Sequence, residues 1–99
     1  MRRSVQLDPQ NGQAHYDFAI VLLRGGDVDE AIVHLRATLE LIPGLVGAHN
    51  NLGIALASQG KLSEAVVHFE QALALDPGSA ETRHNLGIVK QGLERAKGR

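Results

Sequence analysis

Asn51-Leu52-Gly53-Ile54 and Asn85-Leu86-Gly87-Ile88 are the same four residues written twice, 34 positions apart. Working outward, the same shift lays Ala14-His15 on Ala48-His49, Glu30-Ala31 on Glu64-Ala65 and His34 on His68. Pro9, Pro43 and Pro77 keep the spacing (43 − 9 and 77 − 43), and each closes an apolar stretch. A fixed period of this size marks a repeat architecture, in which one supersecondary unit buries its apolar face against copies of itself.

Inside each period the apolar positions are helical. Leu62, Ala65, Val66, Phe69, Ala72 and Leu73 follow the i, i+3, i+4, i+7 spacing of one stripe. Val28, Ala31, Ile32, Leu35 and Leu39 repeat it one period earlier. In the preceding segments Ala14, Phe18 and Leu22, then Ala48, Leu52 and Leu56, stand four apart on one face. Gly25-Gly26 and Gln59-Gly60 divide the segments, glycine supplying the left-handed residue that ends a helix. Asp8-Pro9, Pro43-Gly44 and Pro77-Gly78 are the second kind of break, because proline cannot continue a helix. These signals predict helices over 12–24, 28–41, 46–58, 62–75 and 80–96.

With these residues in place, the chain resembles a tetratricopeptide repeat protein over essentially its whole length. The family pattern runs Trp, Leu-Gly, Tyr, Ala, Phe, Ala, Pro at fixed spacing. The second repeat carries Leu52-Gly53, Ala65, Phe69, Ala72 and Pro77 in those slots. The first carries Phe18-Ala19, Ala31, Leu35 and Pro43, with Thr38 in place of the later alanine. Both depart at the Trp slot (His15, His49) and the Tyr slot (Leu22, Leu56). The resemblance implies an all-α, right-handed solenoid of antiparallel helix pairs forming one domain over 1–99. Its parts would be a partial helix of a preceding repeat at 1–9, repeats at 12–45 and 46–79, and a capping helix at 80–97. Arg83 and Lys90 put charge where a following helix would pack, which suits a polar cap. Met1 to Leu7 is too short to cover the first full helix, so apolar side chains around Phe18, Val21 and Leu22 are expected to pair with a second copy.

Composition excludes several functions. The 99 residues are 43% hydrophobic and 21% charged with a net charge of −1, so no overall basic excess draws in a phosphate backbone. Without cysteine there are no disulfides, thiolate nucleophiles or cysteine metal sites. Met1-Arg2-Arg3 is not followed by an apolar segment before Pro9, and the longest apolar run, Phe18 to Leu23, is too short to cross a bilayer. A cytoplasmic protein with neither membrane nor nucleic-acid partner is expected. Lys90, Arg95, Lys97 and Arg99 read as cations favouring a helix C-terminus. No serine sits in a Gly-x-Ser-x-Gly context, and Gly25-Gly26 lacks the Lys-Ser or Lys-Thr of a phosphate loop. No catalytic residue, metal site or cofactor is expected, and the repeat-equivalent histidines (His15 with His49, His34 with His68) read as duplication.

In the resembled family the first helix of each repeat lines a concave groove that holds an extended peptide or a helix. The groove residues this implies are Tyr16, Asp17, Ile20 and Arg24 from the first repeat, and Asn50, Asn51 and Ile54 from the second. Glu81, His84, Asn85 and Ile88 come from the cap. Ile20, Ile54 and Ile88 recur at 34 and would give the groove an apolar line. Asn51 and Asn85 each carry an amide with one acceptor and two donors, able to grip a peptide unit without reading its side chain. One subclass clamps a terminal carboxylate with lysine, asparagine and arginine, and of that set only Asn51 is present here. The expectation is a protein-interaction module. Rival readings are a substrate-recruiting part of a larger enzyme, such as a glycosyltransferase or signalling enzyme, and a self-assembly unit.

Overall fold

The computed structural model describes residues 10–97. They form α1 (Gly12–Arg24), α2 (Val28–Leu41), α3 (Val46–Ser58), α4 (Leu62–Leu75) and α5 (Ala80–Lys97). Every predicted helix is present, and only the end of α5 differs, by one residue. The expected partial helix at 1–9, and with it Met1 to Leu7 of the expected self-association surface, lies outside the described residues.

The chain divides into two compact units, Met1–Pro43 and Gly44–Arg99. In the first, α1 and α2 form an antiparallel hairpin around buried Ala19, Leu22, Ala31, Ile32 and Leu35. Thr38, in the slot where the family has alanine, is fully buried because its hydroxyl donates to the His34 carbonyl at 2.8 Å. That bond removes the cost of an unpaired buried polar group. Val21, by contrast, stands 61% exposed.

In the second unit, α3 and α4 repeat the hairpin around Ala48, Leu52, Leu56, Ala65, Phe69 and Ala72. α5 then packs against α4 through Val89 and runs alongside α3. The two hairpin turns share one backbone solution. After α1, Gly26 takes φ +87°, the Gly26 amide donates to the Leu23 carbonyl, and the Asp27 amide donates to Leu22 at 2.8 Å. After α3, Gly60 takes φ +80°, with Gly60 donating to Ala57 and Lys61 to Leu56, both at 2.9 Å. This pair of hydrogen bonds with a left-handed residue is the Schellman termination, and it sends the chain straight back along the helix it has just left.

Gly53 shows why the Leu-Gly slot needs a small residue. A Cβ built there would lie 2.6 Å from Phe69 Cε1, so α3 and α4 approach as closely as they do only because that carbon is missing. At the equivalent Gly87 of α5 a Cβ would meet nothing within 4 Å. The two identical tetrapeptides therefore sit in opposite surroundings.

Candidate functional site

The groove residues of α3 and α5 converge within the second unit. Ile54, Ala57, Phe69, Asn85, Ile88 and Val89 line an open pocket of ≈ 140 Å³. Phe69 is 1% exposed and forms its floor, whereas Ile54 and Ile88 stand 38% and 55% exposed at the rim. Ile54 and Ile88 thus leave a small apolar patch open to solvent at the rim.

The one side-chain amide of the pocket, Asn85, is held by a chain of hydrogen bonds. Its Nδ2 donates to Asn50 Oδ1 at 3.3 Å, and the Thr82 hydroxyl donates to the same oxygen at 3.1 Å. Thr82 is in turn approached by Ser79, whose hydroxyl donates to Thr82 Oγ1 at 3.0 Å and accepts the Thr82 amide at 3.3 Å. Ser79 thus caps the start of α5 and fixes a rotamer two steps away. Asn50 was expected on the groove surface, but the packing of α5 leaves it 8% exposed with its acceptor taken by two donors. In this position it orients Asn85. One amide hydrogen of Asn85 is committed to Asn50, while the side chain remains half-buried at the pocket. Asn51 is half-buried on α3, and Glu81 and His84 are exposed on α5.

In the first unit, Tyr16, Ile20 and Arg24 stand four apart along α1, the first two half-buried and Arg24 exposed. Asp17 is exposed and accepts a hydrogen bond from Gln13 Nε2 at 3.0 Å. On α5, the Arg83 guanidinium donates to the Pro77 carbonyl at 3.5 Å. Lys90 stands 3.8 Å from the Glu70 carboxylate, with both side chains more than half exposed. Such a surface pair contributes little to stability.

One arrangement was not anticipated. His15 Nδ1 lies 2.9 Å from His34 Nδ1, and His49 Nδ1 lies 3.3 Å from His68 Nδ1. Within a single helix the histidine spacing shows nothing, because each pair spans 19 residues across a hairpin turn. The sequence signal was the recurrence of both members at 34. Among the described residues, no group of three or more His, Asp or Glu side chains is placed to hold a metal ion, and no helix is long and apolar enough to cross a membrane.

Comparison with known proteins agrees with this architecture. A family profile described as "Tetratricopeptide repeat" matches residues 46–79, and a second with the same description matches residues 1–45. No curated protein matches the chain in sequence. Among solved structures, the first TPR of Spaghetti (RPAP3) bound to the HSP90 peptide SRMEEVD is 26% identical. It superposes with a TM-score of 0.84 over 87% of this chain and 68% of its own. Two MamA structures, each 22% identical, superpose with TM-scores of 0.83 and 0.84 over 87% of this chain. The chain spans only about half the length of those MamA chains, 50% and 47%. Period, paired helices, close-packing glycine and profile matches lead to one conclusion: the chain belongs to the tetratricopeptide repeat family.

Proposed function

We propose that this chain is a protein-interaction module whose second unit takes an extended peptide across α3 and α5. The observation that carries the reading is the pocket of Ile54, Ala57, Phe69, Ile88 and Val89 with the oriented amide of Asn85 at its edge. A volume of ≈ 140 Å³ suits one aliphatic side chain of the ligand. The Asn85 amide would then bond a neighbouring peptide unit, so apolar burial gives affinity and the amide sets direction. Asn51, one helix away, is the second amide offered to ligand backbone. On α1, Tyr16, Asp17, Ile20 and Arg24 form a further candidate surface of the first unit.

The 26%-identical Spaghetti TPR holds a peptide with two adjacent glutamates, which supports a peptide as the ligand class. The charges differ here: Glu81 is the acid among the proposed contacts of α5, and it disfavours an acidic segment. A neutral or basic peptide with an aliphatic anchor is the ligand proposed.

Random peptides displayed on phage and selected on the whole chain test this. Selected sequences should share an aliphatic residue and lose binding at least tenfold with Ile88→Asp, while Val67→Asp, an exposed change on α4, leaves binding intact. Equal losses with both variants, or no selected sequence at all, would overturn the proposal.

A further inference from the structure

The ring planes of the two histidine pairs are inclined by only 27° and 26°, as they would be in a stack. The distances show another geometry. Ring centres lie 5.1 Å apart and the nitrogens 2.9 Å apart in the first pair, a difference of 2.2 Å. In the second pair the values are 5.5 and 3.3 Å, again a difference of 2.2 Å. That difference is about twice the ~1.1 Å from an imidazole centre to its nitrogen, so both nitrogens lie on the line joining the rings. The rings meet edge to edge. A divalent metal needs about 2.0 Å to each nitrogen, and on that line there is no room for it. A single proton fits.

We propose that each helix hairpin is closed by an imidazole pair sharing one proton, and that acidification opens this latch in both repeats. Near neutral pH one ring carries its hydrogen on Nδ1 and donates it to the bare Nδ1 of the other. The two rings are thereby fixed as opposite tautomers. A first added proton can go to the outer nitrogen of the donor ring, and the bond survives. A second leaves an N–H facing an N–H and two like charges in contact, so the hairpin must separate its rings to accept it.

In the first hairpin the surroundings do not offset this. There α1 contributes His15 itself and the edge of Phe18, 4.9 Å from His34 between ring centres. α2 contributes Glu30, one turn before His34, which favours the charged ring. Even so, burial first and His15 second hold His34 below its ordinary 6.5. In the second hairpin Glu64 stands one turn before His68, the counterpart of Glu30. α5, packed on α4, brings Lys90, which is directed to Glu70. The sign follows from linkage: folding disfavours charging His34, so its contribution is complete above 6.5 and is lost as the pH falls below that value.

The test compares melting of the whole chain with that of a His34→Asn/His68→Asn double variant, which keeps a neutral amide where each ring stood. Between about pH 7.5 and 5.5 the wild-type Tm should fall measurably further than the variant's, with His15, His49 and exposed His84 common to both. Parallel Tm profiles would overturn the proposal. Should the variant fail to fold, nitrogen NMR of wild-type imidazoles at neutral pH decides. One protonated and one bare Nδ1 in each pair supports the latch, and two bare Nδ1 atoms in either pair refute it.

Discussion

Alanine placed at Gly53 in one variant and at Gly87 in another isolates a single contact between α3 and α4. Both glycines lie within helices in the same tetrapeptide, so each substitution gains the same helix propensity, about 0.5–1 kcal/mol. At Gly87 nothing lies within 4 Å of the new carbon, and the gain should appear in full. At Gly53 the carbon would meet Phe69 Cε1 at 2.6 Å and Cδ1 and Cζ at 2.8 Å. The ring is 1% exposed and its atoms cannot swing into solvent. Overpacking of this kind costs roughly 1–3 kcal/mol, which exceeds the propensity gain over most of that range. Gly53→Ala should therefore destabilise by up to about 2.5 kcal/mol while Gly87→Ala stabilises by about 0.5–1. Propensity cancels in the difference between the variants, leaving the overpacking cost of about 1–3 kcal/mol, or roughly 5–20 °C in Tm for a domain of this size. Circular dichroism melts of the two variants against wild type measure it. Equal shifts of the same sign would refute the account of the close helix approach.

Further outcomes follow from the same packing. Phe69→Ala should cost about 3–5 kcal/mol in a denaturant titration and remove the floor of the α3–α5 pocket, so peptide binding should fall with it. Gly60→Ala, at φ +80°, should cost about 1 kcal/mol or more by forcing a side chain into the left-handed region, with no change in binding once folding is complete. Thr82→Val keeps the shape of the side chain but removes the donor to Asn50. Titration with a selected peptide should show weaker binding because Asn50, then held by Asn85 alone, positions that amide less firmly. The stability cost should be about 0.5–1.5 kcal/mol for the lost hydrogen bond.

Much of this fold is legible in the sequence because its determinants are periodic. The 34-residue recurrence, the apolar stripes and the Gly26 and Gly60 turns are local signals, and they place helix ends to within a residue. The site was less legible where it depends on what packs next. Asn50 shares its repeat register with exposed His84, and only the arrival of α5 turns the former into a buried acceptor. Gly53 and Gly87 are indistinguishable in sequence, yet Phe69 faces one and nothing faces the other. The histidine pairs depend on ring orientation across a turn, which no spacing within one helix encodes.

The central claim is that α3 and α5 present a peptide site around Asn85. Backbone amide NMR of the labelled chain, titrated with a phage-selected peptide, tests it most directly. The account predicts that shifts concentrate at Ile54, Ala57, Asn85, Ile88 and Val89 while Val33 and Val67 stay fixed. Saturating binding with those five amides unmoved, and shifts gathered on α2 or the outer face of α4, would contradict it.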